Sequence, residues 1–176
     1  MPAPLLRLYI AVSLDSFIAM PDGGVSWLEP YPAAEFGFSE FLGGIGAIVM
    51  GRATYDQALG FGPWSYEGKR TVVLTSRPLD EPPAGVEPWT GDVVALAAEL
   101  KASATGDIWL LGGAKTAAQF LADNLVDRLE LFVVPVLLGE GIALFDGGHG
   151  PAQLALESAT PFPKGVVRLT YAFRTD

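Results

Sequence analysis

The chain has 176 residues, room for one domain with a sizeable core, and 50% of them are hydrophobic at a mean hydropathy of +0.34. Its net charge of −9 argues against nucleic acid or an anionic membrane as a partner, because both reward basic patches, yet allows a small anionic ligand held by a few local cations. With no cysteine and a single histidine, His149, disulfides, thiol chemistry and a zinc site are excluded, and a reducing cytoplasm fits.

From the N-terminus, MPAPLLRLYIAVSLDSFIAM is broken by Arg7 and Asp15, so neither a leader nor a membrane helix of about 18 apolar residues is expected. Its centre, LRLYIAV (6–12), is a first apolar strand. AAEFGFSEFLGG (33–44) reads as a helix, AIVM (47–50) as a strand and GRATYDQAL (51–59) as a second helix. TVVLT (71–75) is a third strand, and RPLDEPPAGVEPWTGD (77–92) is a Pro-rich connection. GDVVALAAELKA (91–102) is a helix with Asp92 as N-cap and Val93, Leu96, Ala97 and Leu100 on one face. DIWLL (107–111) is a strand, and AKTAAQFLADNL (114–125) a helix with Phe120, Leu121 and Leu125 spaced for burial. RLELFVVPVL (128–137) and VVRLTYAF (166–173) have no helix between them, so an antiparallel C-terminal pair is expected. Near-continuous apolar strands alternating with helices predict one α/β domain over 1–176, a mostly parallel mixed sheet covered by helices on both faces.

Three strand ends carry residues that suit an anion. Gly112-Gly113 follows the strand 107–111 and opens a helix, where backbone N–H groups and the helix N-terminus favour phosphate. The same glycines also suit a plain tight turn. Gly51, Arg52 and Thr54 in MGRATYD place a guanidinium and a hydroxyl at a helix start, where the arginine equally serves to fix the helix end. Thr75, Ser76 and Arg77 in VLTSRP close a third strand with short donors and a cation, or with an ordinary capped turn. All three lie at the pole where open α/β sheets bind ligands, and they bring Arg52, Arg77 and Lys115 together for a polyanion. No GxGxxG is present, so a standard dinucleotide-binding Rossmann domain is not expected.

AVSLDSFIA (11–19), IVMGRATYD (48–56), VVLTSRP (72–78), IWLLGGAKTAAQFL (108–121) and VDRLELFVVPVLLGEGIALF (126–145) come in the order of one superfamily. With these segments the chain resembles the dihydrofolate reductase superfamily and is especially similar to the C-terminal reductase domain of the riboflavin-biosynthesis deaminase–reductase. The resemblance implies a dihydrofolate reductase-like three-layer fold and a reductase that uses NADPH. It implies that Gly51, Arg52 and Thr54 hold the adenosine phosphates, and that Thr75, Ser76 and Arg77 hold the adenine ribose and its 2′-phosphate. Gly112, Gly113, Lys115 and Thr116 would cradle the diphosphate, with the nicotinamide against Ala11, Val12 and Ile18. The family's glycine triplet is here Gly112-Gly113-Ala114, and its aromatic at 117 is Ala117.

The resemblance also supplies candidates for the chemistry. The carboxylate that assists protonation in folate reductases matches Glu35, and it needs an apolar setting to keep its proton, here Phe36, Phe38, Trp27 and Leu28. Glu40 lies one turn further on, and a solvated carboxylate on a helix surface is the plain reading of Glu35. Asp15 would stand at the mouth of the substrate pocket, or simply cap the turn that follows it. Trp27, Phe38, Phe132 and Pro135 are the candidate substrate contacts. Phe132 stands where folate enzymes carry a threonine, and Tyr9 where the riboflavin subgroup carries a lysine for its ribosyl-phosphate substrate. The expected activity is hydride transfer to a small, pterin- or pyrimidine-like heterocycle, with a non-catalytic NADP(H)-binding module and a true dihydrofolate reductase as alternatives. Apolar composition and the resemblance together imply a homodimer joined through the C-terminal strands.

Overall fold

Apolar strands buried on both faces need helices on both sides, and the arrangement of the chain meets that need. The computed structural model describes residues 3–173. β1 (Leu6–Ser13) and the short β2 (Phe17–Ala19) lead through 3₁₀ turns at Ser26–Leu28 and Ala33–Phe36 to α1 (Phe38–Gly43). Then come β3 (Ile45–Gly51), α2 (Arg52–Gly60), β4 (Arg70–Leu74), β5 (Val86–Trp89), α3 (Val93–Ser103), β6 (Asp107–Gly112) and α4 (Ala114–Ala122). β7 (Arg128–Val134), β8 (Ile142–Ala143), β9 (Leu154–Pro161) and β10 (Val167–Phe173) complete the chain. No helix among the described residues is long and apolar enough to cross a membrane.

The main sheet runs β5-β4-β3-β6-β1-β7-β10-β9. Its strands are parallel from β5 to β7, and β10 is antiparallel to both β7 and β9. The three-layer α/β fold and its antiparallel C-terminal part are as expected. On one face Leu6, Leu8 and Val12 of β1 pack with Leu96 and Leu100 of α3 and Phe120 of α4. On the other, Tyr9 packs with Phe41 of α1 and Tyr55 of α2.

Local differences from the expected elements have physical causes. The helix over 33–44 is split at Gly37, whose φ of +79° is left-handed and cannot continue a helix. The strand expected to reach 137 stops at Val134, before Pro135, which has no N–H for a ladder. Two edge strands are additional. β5 holds Pro88 and lies inside the Pro-rich connection, and the apolar start of β9 gives way to Glu157, Ser158 and Thr160, so it forms no continuous apolar run.

Beneath α1, at the end of the sheet where β1 begins, Arg7 is held by two carboxylates. Its Nε and Nη2 donate to Glu130 Oε2 and Oε1 at 2.8 and 2.7 Å, and its Nη1 donates to Asp107 Oδ2 at 3.0 Å. Phe41 covers the guanidinium at 4.7 Å. Both Arg7 and Glu130 are largely removed from water, so breaking the pair leaves a charge with poor solvation. Glu130→Leu is expected to lower stability by about 3 kcal/mol in urea unfolding, and Arg7→Met with Glu130→Leu to recover most of that loss.

Candidate functional site

The site begins where two strands part. β1 pairs with β6 only as far as Leu8↔Leu110. β1 continues beside β7 to Ser13↔Val134, while β6 continues beside β3 to Met50↔Gly112. Above Leu8 and Leu110 a crevice therefore opens between β1 and β6 at the C-terminal ends of the parallel strands. It is also where the strand order turns back, since β6 returns from beyond β5 to lie between β3 and β1. Open α/β sheets bind ligands at such a point.

The β6 side of the crevice is built for close approach of a ligand's oxygens. Gly112 has φ +109°, a conformation open to glycine, and the peptide joining it to Gly113 is cis. A Cβ on Gly51 would sit 2.5 Å from Thr116 Oγ1, so the starts of α2 and α4 meet where no side chain fits. Gly113 N donates to Thr54 Oγ1 at 2.8 Å and ties the two together. Neither α2 nor α4 has a side-chain N-cap, whereas Asp92 caps α3 by accepting from Ala95 N at 2.9 Å. Two helix N-termini with free amides thus stand side by side, the arrangement that favours phosphate.

Cations and hydroxyls flank these termini. Ser76, Arg77 and Lys115 are exposed, and Thr75 Oγ1 accepts from Arg77 N at 3.1 Å to shape the turn. Of the two roles open to Arg52, its contacts are those of a brace. It donates from Nε to Asp56 Oδ1 at 2.8 Å and from Nη1 to the Pro78 carbonyl at 3.0 Å, bracing the loop after β4.

Of the residues expected around the nicotinamide, Ala11 faces the α1–α2 side. The Val12 side chain is 2% exposed in the opposite core, because neighbouring strand residues point to opposite faces, so its main chain is what it presents to the crevice. Ile18 also packs toward that opposite core.

The two candidate acids are engaged elsewhere. Glu35 lies on an exposed turn, and Lys164 Nζ pairs with its Oε2 at 3.0 Å, so the apolar enclosure expected for it is absent. Phe36 takes the buried position beside it. Asp15 Oδ1 accepts from Ser13 Oγ at 2.6 Å and from Leu138 N at 3.1 Å, and its Oδ2 accepts from Gly139 N at 2.8 Å. The Ser13 hydroxyl first, then the two amides, hold the Asp15 carboxyl below its usual value. Asp15 is thus a clamp between the end of β1 and the loop after β7, and it stays ionised.

Among the candidate substrate contacts, Trp27 and Phe38 are half-buried against the aromatic core, while Phe132 is buried within it, 4.7 Å from Tyr9. Pro135 is exposed after β7. Arg168 and Tyr55 were not among the expected site residues. Each carries a buried polar atom without a partner, as do Trp27 and Trp64 at their indole nitrogens. Arg168 is the one charged residue in the strand VVRLTYAF, and that is the sequence signal that points to it.

The family model of the RibD C-terminal domain matches residues 4–168. The protein YwjB of Bacillus subtilis (strain 168) is 32% identical over 161 residues, which cover 90% of this chain and 92% of that one. The riboflavin biosynthesis protein RibD of Corynebacterium ammoniagenes is 27% identical over 155 residues, covering 80% of this chain and 46% of that protein. A crystal structure of a Shewanella sp. PV-4 protein provisionally assigned to riboflavin biosynthesis matches with a TM-score of 0.87 at 27% identity, over 97% of this chain and 99% of that one.

Since the carboxyl of Asp15 titrates below the ordinary carboxylate range, its grip on the loop is present above that range and is lost as pH falls through the depressed value. Amide exchange should show Leu138 and Gly139 protected at neutral pH, with protection falling only in acid. Asp15→Ala should remove that protection at every pH, and unchanged exchange in the variant would contradict the clamp.

Proposed function

The chain belongs to the RibD C-terminal domain family, and on that premise we propose that it is an NADPH-dependent reductase of a small, pterin- or pyrimidine-like heterocycle. The observation that carries this reading is the pair of uncapped helix N-termini, α2 and α4, held together at the crevice by Thr54 and Gly113. Gly112, Gly113, Lys115 and Thr116 would hold the diphosphate, and Gly51 and Thr54 the neighbouring phosphate oxygens. Thr75, Ser76 and Arg77 would hold the 2′-phosphate, with Arg52 acting through the loop it braces. The site fits such a group because its glycines leave backbone donors uncovered and its free cations lie on the same rim.

Bound there, NADPH supplies the hydride. The crevice between β1 and β6 then positions the substrate, with Ala11 on its wall and Asp15 keeping the end of β1 in place. Because Asp15 stays ionised and Glu35 is paired with Lys164, the balancing proton comes from water at the crevice rather than from either carboxyl. We also propose a homodimer through β9, an edge strand with Leu156 58% exposed.

Energy transfer from protein tryptophans to bound nicotinamide tests the cofactor. NADPH should bind, and Arg77→Ala should weaken it by about tenfold while changing NADH by less than about twofold. Equal losses for the two nucleotides would remove the 2′-phosphate assignment, and binding of neither would remove the reductase proposal. Loss of nicotinamide absorbance with a panel of pterins, ribosylaminopyrimidines and imines separates an enzyme from a protein that binds without turnover. In gel filtration the chain should run at twice its 18.6 kDa, and Leu156→Lys should shift it to the single-chain mass.

A further inference from the structure

Among the described residues, the buried side-chain polar atoms without a partner follow a pattern. One is an acceptor, Glu99 Oε2 on α3. The other four are donors: the indole N–H groups of Trp27 and Trp64, the Tyr55 hydroxyl and Arg168 Nε. Trp27, Tyr55 and Trp64 belong to the core face that carries α1 and α2. Arg168 joins that face by register, since Ala11 pairs with Phe132 and Phe132 with Arg168. With strands about 4.8 Å apart, Arg168 starts about 10 Å from Ala11, within reach of a ligand in the crevice. A buried donor left unsatisfied is destabilising, so a donor-lined face calls for an acceptor from outside the chain.

Among the described cations that make neither an ion pair nor a side-chain hydrogen bond, Arg77 and Lys115 are exposed and Arg168 alone is half-buried. Arg7, Arg52, Arg70, Lys101, Arg128 and Lys164 are in ion pairs, and Lys69 donates to the Ile45 carbonyl at 2.6 Å. Arg168 has no ion pair among the described residues. Its guanidinium lies over the Phe162 ring, 5.6 Å from the ring centre, a contact that does not neutralise it. The carboxylate on the neighbouring strand β7, Glu130, is taken by Arg7. Tyr9, close enough to feel the Arg168 charge, cannot serve as counter-ion either, because burial pushes its phenol up to about 12.

We propose that Arg168 is a specificity-determining residue that receives an oxyanion, a carboxylate or phosphate carried by the substrate, on the β7–β10 side of the crevice. This rests on reading the crevice as the substrate site. The guanidinium edge formed by Nε, buried and without a partner, and its neighbouring amino group suits either oxyanion. The substrate then lies between two groups of donors, the helix N-termini beyond β6 and Arg168 beyond β7.

The test uses benzoate and phenyl phosphate as flat anionic probes, with benzamide as the uncharged comparison, followed by quenching of tryptophan fluorescence. At least one anion should bind saturably and more tightly than benzamide. Arg168→Gln should weaken that anion by about tenfold or more, Arg168→Lys by less, and Arg128→Gln, which removes a charge already paired with Glu157, not at all. The anion that loses more identifies the carboxylate or the phosphate as the natural substituent. Near-UV circular dichroism establishes that each variant is folded, and Arg168→Lys carries the test if Arg168→Gln is not. The proposal is overturned if neither anion binds, if benzamide binds as well as benzoate, or if folded Arg168→Gln binds the anions unchanged. That last result would also assign any phenyl phosphate binding to the helix N-termini. NADPH titration of the same samples separates the two readings. Arg168-dependent anion binding without NADPH binding keeps Arg168 as an anion receptor and removes the reductase, whereas NADPH binding with anion affinity independent of Arg168 does the reverse.

Discussion

A strand has two hydrogen-bonding edges, and β1 uses both only as far as Leu8. Beyond it the β7 edge stays zipped to Ser13, while the β6 edge is released. The Tyr9 carbonyl, at the point of release, accepts from the Trp109 indole at 3.0 Å instead of joining the β1–β6 ladder. Main-chain groups further along that free edge face a crevice, and buried backbone groups need partners. Everything proposed for the site follows from this release. It separates β6, with its glycines and α4, from β1, with Ala11, and leaves between them a slot bounded by main chain.

The charge distribution gives that slot its character. An acidic protein has few cations to place, and most of those described here are neutralised by carboxylates at the sheet ends and surface. The cations without an ion pair among the described residues are Lys69, Arg77, Lys115 and Arg168, and Lys69 is committed to a carbonyl. Arg77 and Lys115 flank the helix N-termini, and Arg168 stands across the crevice from them. A small number of unspent charges, set in a negative surface, would select the proposed anion by position and not by bulk attraction.

Much of the architecture was legible because it rests on buried strands. LRLYIAV, AIVM, TVVLT and DIWLL are apolar throughout, and Asp92 marks the start of α3 without ambiguity. β5 and β9 were not legible, since edge strands tolerate Pro88 and the polar Glu157, Ser158 and Thr160, so neither forms a continuous apolar run. At the site, the glycine pair and the residues after MG do meet at one end of the sheet, because helix starts and turns are written locally. Side-chain direction was harder. Nothing in AVSLD says that Val12 points away from Ala11's side until the faces of the sheet are known. Glu35 was a candidate acid only by its place in the order of motifs, its plain reading being a solvated carboxylate, and its partner Lys164 is 129 positions away in the chain. Long-range pairing of that kind leaves no local mark.

Gly51 has a consequence for the energetics of the whole molecule. Because a Cβ there would meet Thr116 Oγ1, the starts of α2 and α4 are pressed together with their positive dipole ends adjacent and their amides uncapped. Like dipole ends side by side repel, and a helix cap or a wider spacing would reduce that repulsion. The polyanion proposed for this rim would offset that repulsion and so serve the fold as well as the chemistry. By mass action, its binding stabilises the protein as a whole in proportion to how far it is present above its dissociation constant.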